Sequence, residues 1–173
     1  NLMENELKKV LIVAAHPDDE ILGCGGLINK LLKIKSEIRV IFMAEGISSR
    51  YNLKNLNEYK VAKKEITHRE NCAKKALKVL GLSEDNIFFS MNKCCQLDTY
   101  PRLALTKTIE SHIKDFMPTC LLTHFEKDTN IDHRICYEAC LPAIRPTKSN
   151  PIKLVLSFEI ISSTECNYSE QFK

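Results

Sequence analysis

The stretch VAAHPDDEILGCGG at 13–26 places His16, Asp18, Asp19 and Glu20 within five positions, directly after an apolar run. Imidazole nitrogen and carboxylate oxygen are donors that zinc takes in tetrahedral geometry, and a catalytic zinc site uses three protein ligands with the fourth position open to water. His16 and Asp19 are three residues apart, so at the opening of a helix both can aim at one point while Asp18 aims elsewhere. A second polar stretch, HFEKDTNIDH at 124–133, carries His124, Asp128 and His133. If the two stretches meet, His133 supplies a third ligand. Asp18 then stays unligated beside the metal, where a carboxylate can act as general base. The plainer alternative is that Pro17, Asp18 and Asp19 start and cap a helix, with His16 a satisfied loop histidine and Asp132 and His133 opening another helix. Three adjacent polar groups exceed what capping needs. Gly23, Gly25 and Gly26 are expected to let the backbone pass close to the site and to the first strand. As a dinucleotide fingerprint they are weak, because they follow the polar cluster rather than the strand itself.

Whether the two stretches meet depends on the elements that carry them. KVLIVAA (9–15) and EIRVIFMAE (37–45) are continuous apolar runs of the kind found in strands covered on both faces. Between them LINKLLKI puts Leu27, Ile28, Leu31, Leu32 and Ile34 on one helical side. A helix is expected from about Tyr59 to Leu80, stopped by Gly81. A short strand NIFFS (86–90), a helix on Leu105, Ile109, Ile113 and Phe116 ended by Pro118, and a strand TCLLTH (119–124) follow. DHRICYEACLPAI reads as a fourth helix broken by Pro142, and KLVLSFEI (153–160) as a fifth strand. This alternation predicts an α/β fold, a three-layer α/β/α sandwich around a mostly parallel, Rossmann-like sheet. In such sheets ligands bind beyond the carboxyl ends of the strands. Both polar stretches lie there, beyond strands one and four, which neighbour each other in the doubly wound order.

Composition narrows the partners. The 173 residues carry 25 Lys plus Arg against 22 Asp plus Glu, scattered rather than clustered, which argues against nucleic acid or a membrane surface. No apolar run approaches the length of a transmembrane helix, and NLMENELKK has no signal-peptide core, so a cytoplasmic protein is expected. Eight cysteines with no CxxC spacing point to buried free thiols rather than disulfides or a structural zinc site.

AHPDDE after strand one with glycines following, and DTNIDHR after strand four, together resemble the PIG-L/LmbE-like family of zinc-dependent N-deacetylases. Arg69 ahead of AKKALKVLG, and SFEIISST near the end, extend the resemblance over nearly all of the chain. It implies removal of an acetyl group from an N-acetylated amino sugar that is nucleotide-linked, lipid-linked or part of a surface glycan. By position, His16, Asp19 and His133 resemble the zinc ligands and Asp18 the base, while Arg69 matches an arginine that contacts substrate in some members. Many members have a histidine where this chain has Asn130, so an oxyanion contact from the Asn130 amide is expected instead. The chain also stops at NYSEQFK where members usually run on, so a missing C-terminal part is expected.

The mechanism this implies is metal-assisted amide hydrolysis, with zinc acidifying a water, Asp18 taking its proton and Asn130 helping to hold the oxyanion. His124 is expected to protonate the leaving amine, since its ordinary pKa of about 6.5 suits that task. Asp128 is expected to contact substrate, or else to orient His124 or His133. Two other classes compete. A degenerate, non-catalytic metal-binding module of the same fold is one. A receiver-like phosphoacceptor is the other, but it needs an Asp ending strand three and a Lys after strand five, and NIFFSMNK and SFEIISS supply neither in place.

Overall fold

The computed structural model of the protein describes residues 5–164; Cys166 and the NYSEQFK end lie outside the described residues. Five strands, β1 (Lys9–Ala14), β2 (Glu37–Phe42), β3 (Ile87–Phe89), β4 (Cys120–His124) and β5 (Leu154–Phe158), form one sheet in the order β3-β2-β1-β4-β5. Every pairing is parallel, with Val13 opposite Phe42's neighbour Ile41 on one side and Thr123 on the other. The strand order reverses direction at β1, which places the crevice between the ends of β1 and β4, where both polar stretches emerge.

Four long helices of the described residues cover the two faces: α1 (Asp19–Lys33), α2 (Leu56–Leu80), α3 (Arg102–Phe116) and α4 (Ile131–Ala143). The period-two alternation of β1 divides the core. Val10, Ile12 and Ala14 pack with Ile28 and Leu31 of α1 and Leu77 of α2, while Leu11 and Val13 pack with Ile109 of α3 and Ile135 and Ala139 of α4. A strand buried on both faces must be apolar at every position, which is why 10–15 reads as an unbroken run. No helix among the described residues is long and apolar enough to cross a membrane.

Several boundaries differ from the sequence expectation. α1 begins at Asp19, inside the polar cluster, and takes in all three glycines; only Cys24, at φ −143°, departs from helical geometry. Gly23 does allow a close approach, but to β5 rather than β1: a Cβ there would collide with the Phe158 ring, whereas Gly26 has nothing near it. Gly81 ends α2 in the left-handed conformation (φ 100°), as its place after the periodic stretch suggests. Pro142 does not break α4; it is the helix's penultimate residue.

Candidate metal centre

Three buried histidines surround one buried carboxylate oxygen. Asp19 Oδ2 lies 3.5 Å from His16 Nδ1, 3.4 Å from His133 Nε2 and 3.4 Å from His124 Nε2, and accepts the His16 backbone N–H at 2.8 Å. His16 and Asp19 come from the turn that opens α1, and His133 from the first turn of α4, whose N-cap is Asn130. The ring nitrogens are too distant for good charge-assisted hydrogen bonds, which run at about 2.7–2.9 Å. They match a different geometry. Donors about 2.0–2.1 Å from a zinc ion at tetrahedral angles lie about 3.4 Å from one another. The residues present therefore fit a divalent metal held by His16 Nδ1, Asp19 Oδ2 and His133 Nε2, whose ligand atoms all fall within 4.8 Å of one another.

His124 is not a fourth ligand. Its Nε2 accepts the Ala15 backbone N–H at 2.9 Å, which occupies the lone pair, and its Nδ1 has no hydrogen-bond partner among the described residues. The ring is fully buried, stacked on His133 at 3.9 Å between centroids and against Phe158 at 4.5 Å. Burial, only partly opposed by Asp19, pushes its pKa below the ordinary value. A neutral, walled-off imidazole is placed to support the His133 ring. That position is at odds with the expected donation of a proton to a leaving amine.

Asp128 is likewise not on the substrate side. It is 1% exposed and its Oδ2 accepts from Thr164 Oγ1 at 2.7 Å and Ser163 Oγ at 2.9 Å, and lies 3.1 Å from His133 Nδ1. The carboxylate thus orients His133 so that Nε2 faces Asp19. Asp132, which sequence reasoning considered only as part of a helix start, does the same for His16: its Oδ2 lies 2.9 Å from His16 Nε2. Burial lowers the pKa of both imidazoles, but the neighbouring carboxylates outweigh it, raising His16 to about 12 through the Asp132 hydrogen bond and the Asp19 charge, and His133 to about 9 through Asp128 and the Asp19 charge. Asp19 is held well below the carboxylate range, its burial overcome by the three histidines. Without a metal, the centre holds positive charge as protons; a divalent cation supplies the same charge.

Asp18 borders a cleft of about 300 Å³ that reaches His16, Asp19, His133 and Asn130. Arg69, on α2, grips the turn twice: Nη2 lies 2.5 Å from Asp18 Oδ2, and Nε donates to the Pro17 carbonyl at 2.9 Å. It is no solvated helix residue. Gly46, at φ 77°, makes room for it, since a Cβ there would stand 3.0 Å from Arg69 Nε and 3.1 Å from His16 Cβ. Burial and the Asp19 charge raise the Asp18 pKa, with Arg69 acting against them. Asn130 Oδ1 accepts the Asp132 N–H at 2.9 Å, which leaves its NH2 as the donor toward the cleft it lines. Glu20, the last member of the polar cluster, does not line the cleft; its carboxylate is wholly buried with no hydrogen-bond partner among the described residues, and burial lifts its pKa to about 8.

A family model described as PIG-L: GlcNAc-PI de-N-acetylase matches residues 11–144. The chain is 28% identical over 150 residues to the uncharacterized deacetylase YaiS of Escherichia coli K12, covering 82% of this chain and 70% of that one. Among solved structures it resembles the N,N'-diacetylchitobiose deacetylase of Pyrococcus horikoshii, at TM-score 0.65 and 22% identity, covering 79% of this chain and 49% of that one. It also resembles GalB, the 4-carboxy-2-hydroxymuconate hydratase of Pseudomonas putida KT2440, at TM-score 0.60 and 21% identity, covering 85% and 62% of the two chains. The chain thus spans about half the length of that chitobiose deacetylase. At such identities the structural likeness establishes the fold, and one fold carrying both a deacetylase and a hydratase leaves the chemistry to be argued from the site.

Proposed function

The chain belongs to the PIG-L family, and on that premise we propose that it is a zinc-dependent hydrolase that removes the acetyl group from an N-acetylated amino sugar. The observation that carries this reading is the convergence of His16 Nδ1 and His133 Nε2 on Asp19 Oδ2 at tetrahedral ligand spacing, at the foot of a polar cleft edged by Asp18. His16, Asp19 and His133 hold the metal, with Asp132 and Asp128 fixing the two rings. Zinc bound there supplies Lewis acidity toward a water and toward the acyl carbonyl.

The rest of the chemistry falls to side chains of this chain. Asp18 accepts the proton of the attacking water, as a carboxylate held at the cleft edge by Arg69 can. Asn130 donates its amide N–H to the oxyanion. Because His124 is walled off behind His133, Asp18 also returns its proton to the leaving amine; a pKa raised by burial and by Asp19 makes it a better acid for that step than an ordinary aspartate. Arg69 positions Asp18 and presents its remaining N–H groups to sugar hydroxyls. The polar cleft suits a sugar, and the chitobiose deacetylase among the similar structures supports the same substrate class.

The test is release of a primary amine and acetate from a panel of N-acetyl sugars, free, nucleotide-linked and lipid-linked, by the zinc-loaded protein. Equal amounts of both products on at least one substrate are expected. Bound zinc with no amine released from any of them would instead make the chain a metal-binding module of this fold.

A further inference from the structure

SFEIISST (157–164) carries two hydroxyls that reach the metal centre from outside the ligand set. The chain leaves β5 at Phe158 and turns over 160–164, where Ser163 N–H and Thr164 N–H donate to the Ile160 carbonyl at 3.0 and 2.8 Å. Thr164 Oγ1 closes the turn by accepting the buried Ile160 N–H at 2.8 Å. Thr129 Oγ1, in the loop after β4, donates to the Ser163 carbonyl at 2.7 Å and ties the turn to that loop. Thus placed, Thr164 Oγ1 and Ser163 Oγ both donate to Asp128 Oδ2, at 2.7 and 2.9 Å.

Oδ2 is the oxygen that meets His133, 3.1 Å from Nδ1. The other oxygen, Oδ1, accepts the Asn130 N–H at 2.8 Å, and the Asp128 carbonyl accepts from Arg134 Nη1 at 2.6 Å. Those bonds are local. The hydroxyls on Oδ2 come from 35 and 36 residues along the chain. We propose that Thr164, with Ser163 beside it, is a positioning residue for His133: the hydroxyls aim the Asp128 carboxylate, so that Nδ1–H meets Oδ2 and Nε2 is left for the metal ion.

The carboxyl torsion of an aspartate is broad, so a local bond to one oxygen leaves the other loosely aimed. A hydroxyl has one proton to give. Thr164 Oγ1 gives it to Asp128 while receiving the Ile160 N–H, so its direction is set from the backbone. A carboxylate behind a ligating imidazole fixes the tautomer and the ring orientation. Here that carboxylate is itself fixed, one layer further out. The proposal rests on the reading of His133 as a metal ligand.

Zinc affinity of the full chain, measured by competition against a chromophoric chelator, tests this without an assay of turnover. Thr164→Val is expected to lower it about tenfold, the lower end of the effect of carboxylates behind ligating histidines, and Thr164→Ser to restore it. Ser163 is half-buried, so Ser163→Ala reads the same loss if Thr164→Val does not fold. A residue that acts through Asp128 has nothing to act on once that carboxylate is replaced. In an Asp128→Asn background Thr164→Val is therefore expected to cost no further affinity, although Tm falls in both backgrounds because the Ile160 N–H loses its acceptor. Unchanged affinity in the folded hydroxyl variant, or an equal loss with and without the Asp128 carboxylate, overturns the proposal. A parent chain that binds no zinc overturns the ligand set together with it. Absence of amine release leaves these affinities untouched, so positioning and catalysis fail separately.

Discussion

The Arg69 guanidinium holds Asp18 across the mouth of the cleft, Nη2 standing 2.5 Å from Asp18 Oδ2 while Nε donates to the Pro17 carbonyl. This pair opposes the upward pull of burial and of Asp19 on the Asp18 pKa. A general base must be ionised, so activity falls as pH drops through its pKa. Arg69→Ala removes the opposing charge, and the acid limb of kcat/KM is expected to move to higher pH. Arg69→Lys should restore the limb but not the two-point grip, because an ammonium lacks the guanidinium fork, leaving activity about tenfold or more below wild type. An acid limb that does not move in Arg69→Ala would remove Asp18 from the base role.

On the proposed reading, the neighbours Asp18 and Asp19 have separate duties. Asp18→Asn should keep stoichiometric metal and lose about 10²–10⁴ in kcat, the usual range for a removed general base. Asp19→Asn should lose metal first, because the oxygen on which the rings converge becomes part of a neutral amide. Metal analysis beside single-turnover rates separates the two; swapped outcomes would exchange their roles.

Asp132 and Asp128 touch the His16 and His133 rings, on the sides away from Asp19. Asp132→Asn and Asp128→Asn are each expected to weaken metal affinity by about 10–100-fold, as carboxylates behind a ligating histidine commonly do. Competition against a fluorescent chelator measures this. Unchanged affinity in both variants would mean that packing alone orients the rings.

The strand and helix pattern was legible because each element announces its own period: an unbroken apolar run for β1, a helical stripe on α3. The meeting of His16, Asp19 and His133 was legible too, since parallel strands in a doubly wound order bring the loops after β1 and β4 together. The start of α1 was obscured by three glycines in four positions, a composition that lowers helix propensity and that close packing against Phe158 overrides at Gly23. The place of His124 depends on strand register: the Ala15 N–H beside β4 takes its Nε2, and no local pattern encodes that. Asp132 bonding to His16 spans 116 residues, and Thr164 bonding to Asp128 spans 36. Such pairings have no periodicity to read. They follow only once the elements are packed.

The metal-free centre stores its charge as protons, which gives stability a pH signature. Carboxylates hold His133 at about 9 against an ordinary 6.5, and His16 at about 12. A raised imidazole stabilises the fold fully below its unfolded pKa and loses that contribution as pH rises through the folded value. The Tm of chelator-treated protein is therefore expected to fall as pH rises from 6.5 through 9. Asp128, held at about 2, works in the opposite sense, and its contribution is lost only as pH falls below the ordinary 3.8 toward 2. Metal binding replaces the protons, so the gain in Tm on adding zinc should widen over the same upper interval. A flat Tm there in chelator would contradict the assigned charge states.

The central claim is that one metal, held by His16, Asp19 and His133, drives amide hydrolysis. Its most direct test is a zinc titration of metal-stripped protein in which bound metal and released amine are read from the same samples. The account predicts that amine release rises in proportion to bound zinc and reaches its plateau at one ion per chain. In His133→Ala, where only two ligands remain, no tight equivalent should bind and no amine should appear. Full amine release from the metal-stripped chain, or a His133→Ala variant that still binds one zinc tightly and releases amine, would contradict it.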